Sequence, residues 1–451
     1  MPPLTATGQV DAAQPRTSLP RQDRLGKDRR LVQQRAVYLD YHASTPCDPR
    51  VLEEMLPYFL DTFANPASSI HAAGRKATGV VETARARVAS AINAEPEEIV
   101  FTSGATESNN LAILGASAAA PEERWRVLAS AIEHKSVMAP CGALSKQGFA
   151  FEELPVDGDG LLDLGALAEV VSAETFLVSV QAVNNEIGTI QPVRAVVQIA
   201  HAAGALVHCD AAQALGRIPI DVSSWGVDLL SLSGHKCYGP KGVGALYVRG
   251  GARGAPIRPL AYGGGQEHHV RPGTLNVPGI VGLGAAAEIA EAERESDAVR
   301  VVLLRDWFER QLLAAIPHAR RNGAINNRVA GNSSITLPSL EAEALIARLR
   351  DINVSTGAAC TSGAPEPSHV LRAIGLDRAQ SYGTLRIGIG RYTLAEELQH
   401  ATSRIISAAS FVAAHTTRAV VVTTSNPSRP RRSSHHPLTV REVARGTAIE
   451  N

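Results

Sequence analysis

An α/β fold, with a mostly parallel, covered sheet in a large domain and a second, smaller α/β domain, is predicted by three observations. From Val37 to about residue 250, short apolar strands alternate with longer helical patterns. Helical periodicity resumes over Ile280–Arg310. Strands and helices then mix over about residues 330–410. Strict alternation implies right-handed crossovers between parallel strands whose faces are covered by the helices.

The elements follow in order. Regular structure begins at Val37-Tyr38-Leu39-Asp40. Ile99–Thr102 is an apolar strand that feeds a helix through Glu107–Leu114. Val127–Ala131 is a strand ending at Glu133-His134, and Phe176–Val180 is another, ending near Asn184-Asn185. Val196–Ala203 carries a helical pattern, and Ala205–His208 is a strand that ends at Asp210. Val227–Leu232 is an apolar run that stops at the small polar turn Ser233-Gly234-His235-Lys236, and Ala245–Val248 resumes the apolar pattern.

Composition narrows the function. The 451 residues are 45% hydrophobic and 20% charged, as in soluble globular chains, with a formal net charge of zero and 4% aromatics. Zero net charge offers no field for nucleic acid or an anionic membrane, and few aromatics argue against base-stacking platforms. No apolar run approaches the length of a membrane span. Cys47, Cys141, Cys209, Cys237 and Cys360 are widely spaced without a CxxC pair. They read as neither a disulfide framework nor a zinc site, and they fit a reducing, cytoplasmic setting. Residues 1–36 are Arg-rich, interrupted by Pro15 and Pro20, and lack the apolar core of a secretory signal; residues 424–436 are low in complexity.

In parallel α/β sheets, ligand groups collect at the carboxyl ends of strands and at helix N-termini. Thr102-Ser103-Gly104-Ala105-Thr106 joins a strand to a helix, where free amides and the helix dipole suit a phosphate; an ordinary Ser/Thr cap is the plainer alternative. Asp210 ends a strand at a depth where a carboxylate holds a pyridine nitrogen protonated, or simply caps the next helix. His134 at its strand end suits stacking on an aromatic ring and proton transfer, or is a surface histidine. Asn184 and Asn185 offer amides to a phenolic oxygen, and Ser233 and His235 flank Lys236. A lysine at a strand mouth can form a Schiff base with a carbonyl cofactor, although most lysines are surface residues. Phosphate cradle, ring partners and lysine in this order are what pyridoxal phosphate needs. Cys360, within a Gly-rich and Pro-containing loop at Ser355–Pro365, is placed as a nucleophile on a mobile segment rather than as a buried thiol. Arg386, on an alternating strand, suits a bidentate grip on a substrate carboxylate, or is a plain edge-strand arginine.

The motifs YLDYHASTPCDPRV, NPASSIH, EIVFTSGATESNNLAI, VNNEIGTIQ, HCDAAQ, SLSGHKCYGPKGVGALYV, RPGTLNVPGIVG, VSTGAACTSG and TLRIGIGR resemble the cysteine desulfurases of the NifS/IscS type. These are pyridoxal-phosphate enzymes of the class V aminotransferase family, and the resemblance runs from about Val37 to Arg404. It implies a fold-type I architecture whose large domain holds a mostly parallel seven-stranded sheet beside a smaller α/β domain. It implies removal of sulfur from L-cysteine, giving L-alanine and a persulfide on Cys360 for transfer to a sulfur-acceptor protein serving iron–sulfur assembly, thiolation or DNA phosphorothioation.

By motif, the resemblance makes Lys236 the covalent partner of the cofactor and carrier of the Cα proton, and His134 the stacking histidine. Asp210, Gln213 and Asn185 would bind the ring. Ala105, Thr106, Ser233 and His235 would hold the phosphate, completed by Thr274 from a second subunit, so a homodimer with shared sites is implied. Asn65, Asn185 and Arg386 would bind the substrate carboxylate. No resident metal is implied, apart from transient iron–sulfur ligation by Cys360 with a scaffold partner.

The expected division is 1–36 as a disordered extension, 37–52 with 295–412 as the small domain carrying the Cys360 loop, 53–294 as the large cofactor domain, and 416–451 as a low-complexity tail that does not match the family's usual ending. A selenocysteine lyase or another class V pyridoxal-phosphate enzyme would keep Lys236, Asp210 and His134 without needing the Cys360 thiol. A dinucleotide-binding oxidoreductase is disfavoured, because no strand leads into GxGxxG with an acid about 20 residues on.

Overall fold

Seven strands form one sheet, ordered β2–β8–β7–β6–β5–β3–β4, in a computed structural model that describes residues 36–251, 256–338, 340–356 and 366–424. In chain order, after a two-residue β1 (Val37–Tyr38), they are β2 (Ile99–Thr102), β3 (Arg126–Ser130), β4 (Ala150–Leu154), β5 (Thr175–Gln181), β6 (Leu206–Asp210), β7 (Leu229–Ser233) and β8 (Gly244–Val248). Pairings β3–β4, β3–β5, β5–β6 and β6–β7 are parallel, whereas β8 runs antiparallel to both β2 and β7. Every residue of β5 is buried, because helices cover both faces of a parallel sheet. The alternating pattern therefore gives the expected class. β4 is the strand it missed: its AFEEL run sits at the sheet edge with only Leu154 buried, so it lacks a continuous apolar signature.

The helix Ala72–Ser90 buries Ala77, Val81, Ala84 and Val88 at helical spacing against the helix Val277–Ala315. The two backbones come close enough that a Cβ at Gly284 would lie 2.9 Å from the Ala84 Cα, so glycine is required there. The long helix serves two cores. Ile280, Leu283 and Ala287 pack with the seven-stranded sheet, while Val301, Phe308 and Leu312 pack with the smaller sheet. The crossover between the two cores thus falls inside one unbroken helix. In the N-terminal segment it falls between Leu39, in the smaller core, and Val51, in the larger.

The smaller sheet is antiparallel, ordered β12–β13–β10–β9, from β9 (Arg320–Arg321), β10 (Asn332–Thr336), β12 (Ser355–Thr356) and β13 (Thr384–Gly388), while β11 (Ile352–Asn353) pairs with β1. The last helix runs Ala395–Thr424, past the expected end of the small domain at residue 412 and into the stretch expected as the low-complexity tail, 416–451. No proline or glycine interrupts the sequence until Pro427, so nothing local stops the helix earlier. Residues 1–35 and 425–451 lie outside the described residues.

Candidate active site

Strands β3, β5, β6 and β7 run the same way, so their carboxyl ends share one edge and carry His134, Asn185, Asp210 and Lys236 together. β2 ends at the same edge, because Thr102 and Ser233 both pair with Gly244 of β8. This sets the helix Ala105–Ser117 beside Ser233. The helix begins after Gly104 at φ +148°, a conformation that favours glycine, and no side chain caps it. A Cβ on Gly104 would point to within 3.9 Å of the Ser233 Oγ. Among the described residues the N–H groups of Ala105, Thr106 and Glu107 have no acceptor, which leaves an open donor set at a positive helix end. Of the predicted cradle, Ala105, Thr106, Ser233 and His235 lie on this edge. His235 is held neutral at pH 7, its pKa lowered to about 4 by burial and the neighbouring Lys236.

Lys236 donates from Nζ to the carbonyl oxygens of His42 at 2.6 Å and Ala43 at 2.9 Å. Burial, with the charges of Arg217 and Arg386, lowers its pKa to about 7. The amine is thus shifted toward the neutral form that acts as a nucleophile or base at neutral pH, where an ordinary lysine is almost wholly protonated. Gln213 is engaged by the same segment: its Nε2 donates to the His42 oxygen at 2.8 Å, and its Oε1 accepts from Arg217 and lies 3.3 Å from His42 Nδ1.

Asp210 is buried and accepts from the Ala212 N–H and from Asn109 Nδ2, at 2.9 and 2.8 Å. Asn109 Nδ2 also donates to Ser136 Oγ at 2.8 Å, and Ser136 Oγ lies 2.7 Å from His134 Nδ1. The Ser136 N–H donates to that same Nδ1, so Nδ1 is an acceptor and the ring proton sits on Nε2. Burial lowers the His134 pKa and keeps the ring neutral. A hydrogen-bonded path therefore links Asp210 to His134 through two residues that sequence reasoning passed over. Both lie at helix positions, Asn109 and Ser136, whose polar side chains read locally as unremarkable.

Arg386 extends from β13 to the edge of the large sheet. It donates to the Asn185 carbonyl at 3.2 Å and to Asp40 Oδ1 at 2.9 Å, and its buried Nε has no partner among the described residues. A buried guanidinium N–H without a partner among the described residues fits a carboxylate ligand. Asn65 is not part of this group. It is exposed, its Oδ1 caps the Ala67 N–H at 2.9 Å, and it borders a separate cavity with Arg85 and Glu267. Thr274 is also exposed on the single chain. Cys360 lies outside the described residues.

The class-V aminotransferase family profile matches residues 37–400. The chain belongs to that family. Among curated relatives, this family member is 46% identical over 371 residues to the cysteine desulfurase IscS of Rickettsia rickettsii (strain Iowa), covering 82% of this chain and 90% of that one. Among solved structures it is similar to a NifS-like protein, with a TM-score of 0.78, 38% identity, and coverage of 83% of this chain and all of the other. It is also similar to SspA in complex with cysteine, with a TM-score of 0.69, 38% identity and coverage of 79% and 100%. The family implies pyridoxal phosphate. The residues present fit it: open amides at a positive helix end beside Ser233, a buried carboxylate, a neutral histidine and a lysine of lowered pKa on one edge.

Proposed function

We propose that the chain is a cysteine desulfurase that takes sulfur from L-cysteine and leaves L-alanine. The observation that carries this reading is the Lys236 amine, buried, donating to the carbonyls of His42 and Ala43 and shifted to a pKa of about 7, near enough to Arg386 to feel its charge. When bound, pyridoxal phosphate supplies an aldehyde for the amine and an electron sink for the electrons of the substrate Cα–H bond. Ala105, Thr106, Ser233 and His235 would hold its phosphate, with Thr274 contributed by a second copy of the chain. Asp210 would keep its ring nitrogen protonated, and His134, Gln213 and Asn185 would hold the ring. Arg386 binds the substrate carboxylate, with Asn185 alongside. Asn65 reaches that carboxylate only if its loop rearranges from the Ala67 cap.

Lys236, as the free amine, takes the Cα proton and returns it. The Cys360 thiolate attacks the sulfur of the bound cysteine; an S–S bond forms, the C–S bond breaks, and its electron pair and a proton end on the Cβ of alanine. Cysteine plus an enzyme thiol becomes alanine plus an enzyme persulfide, with no outside oxidant. The described cysteines support Cys360 in this role. Burial pushes the thiols of Cys141 and Cys237 to about 12 and raises that of Cys209, so all three stay protonated and inert; Cys47 is also raised.

Homodimer formation is supported by apolar side chains left exposed on one chain, including Leu56, Phe59, Leu60, Phe63, Ile70 and Tyr262. A sulfur-acceptor protein receives the persulfide sulfur. Free thiols at all four described cysteines suit a reducing cytoplasm. Among the described residues no helix is long and apolar enough to cross a membrane.

The test is intact mass after L-cysteine without reductant, wild type beside Cys360→Ser. A sulfur adduct on the wild type alone, with matching alanine, supports the reading. Alanine from both proteins with no adduct overturns the persulfide route and favours a lyase.

A further inference from the structure

We propose that Arg217 is a positioning residue for this chemistry, a guanidinium with no ion pair among the described residues that is fastened to the carbonyl of Lys236 and disfavours a second positive charge on the Lys236 side chain. The inference rests on the reading of Lys236 as the reactive amine. Arg217 donates to the carbonyl oxygens of Tyr41 at 3.0 Å, Lys236 at 3.2 Å and Gln213 at 3.2 Å, and to Gln213 Oε1. These acceptors are all neutral, and among the described residues Arg217 makes no ion pair.

Arginine and lysine grip successive carbonyls of one short segment: Arg217 holds that of Tyr41, and Lys236 Nζ holds those of His42 and Ala43. The charged and titratable groups facing Lys236 are Arg217, Arg386, Asp210, Asp40, His134 and His235. The charge of Arg386 is offset by Asp40 at 2.9 Å. Both histidines are neutral, and the Asp210 carboxylate is held by Asn109 and Ala212. Arg217 is therefore the one cation of this group that no acid compensates, in surroundings where like charges repel strongly. A lysine that must accept a proton from Cα works only while neutral, so this repulsion serves the reaction directly.

The experiment is trace acylation of the full-length chain freed of cofactor, across pH 5–11, with the Lys236 peptide quantified by mass spectrometry. In the wild type, half-maximal labelling falls near pH 7. In Arg217→Gln, which keeps hydrogen-bonding capacity without charge, the midpoint rises by about one unit and labelling at pH 7 falls about fivefold. Arg217→Lys keeps the charge and keeps the wild-type profile. An unchanged midpoint in folded Arg217→Gln overturns the proposal, as does a rise of a unit in Arg217→Lys, which decides the matter alone should the glutamine variant not fold. Neither cofactor nor cysteine is present, so the result is independent of whether the loaded enzyme makes alanine.

Discussion

The Lys236 amine lies 2.6 Å from the carbonyl oxygen of His42, a residue 194 positions away. Lys236, the proposed proton carrier, is thus held by the start of the described chain as much as by its own turn. The same carbonyl accepts from Gln213 at 2.8 Å, so the segment Tyr41–Ala43 joins β6 and β7 at the point where the cofactor would bind. In the proposed reaction, substrate, cofactor and proton carrier would meet where Arg386, arriving from β13, touches Asn185 at the edge of the large sheet.

Arg386→Lys removes the planar fork while keeping the charge. Loss of a charge-assisted pair of about 1.5–3 kcal/mol raises the KM for L-cysteine roughly tenfold or more. Steady-state alanine release measures it; an unchanged KM would mean that Arg386 does not hold the carboxylate.

Asn109→Ala removes donors to both Asp210 and Ser136. Leaving a buried carboxylate short of a donor costs about 1–3 kcal/mol, so pyridoxal phosphate binds the cofactor-free protein roughly tenfold more weakly. Titration followed by absorbance reads this directly, and an unaltered affinity removes the Asp210–His134 path from cofactor binding.

Glu186 gives a pH signature. Burial raises its carboxyl to about 7, and Ser368 Oγ lies 2.5 Å from its Oε2. An acid whose folded pKa exceeds its unfolded value is most favourable to folding below the unfolded value, near 4.5, and its contribution is lost as pH rises toward 7. Relative to Glu186→Gln, the wild type therefore loses stability between pH 4.5 and 7 and changes little above that. Paired thermal melts across this window check the slope; parallel curves would place the Glu186 carboxyl at an ordinary value.

Arg85 and Glu267 form an ion pair of 2.7 Å with side chains only 6% and 1% exposed, and Glu267 also accepts from the Phe101 N–H at 2.7 Å. Arg85→Met leaves a buried charge unpaired and destabilises the protein by about 3–5 kcal/mol, whereas the double change Arg85→Met with Glu267→Gln recovers much of that loss. Denaturant unfolding distinguishes the two, and equal losses would show that the pair acts through packing alone.

Much of this architecture was legible in the residues. The strands ending at His134, Asp210 and Lys236 follow from apolar runs that stop at polar turns, and the helix after Gly104 follows from its own periodicity. β4 escaped because an edge strand with mixed exposure carries no clean pattern. Asn65 was placed by motif beside the substrate, yet its loop sits beside Arg85 and Glu267, because a motif names a neighbour in sequence and not the direction a loop takes.

By itself the sequence determined the class of fold, the edge of the sheet where polar groups gather and the identities of the lysine, aspartate, histidine and arginine gathered there. Only the tertiary structure decided that His42, Asn109, Ser136 and Arg217 touch Lys236, Asp210 and His134, since these contacts mostly bridge distant stretches of chain. The physical reason is range. Helix and strand periodicity are set by neighbours a few residues apart, whereas these hydrogen bonds depend on strand order and on how one sheet meets the other, which local spacing does not encode.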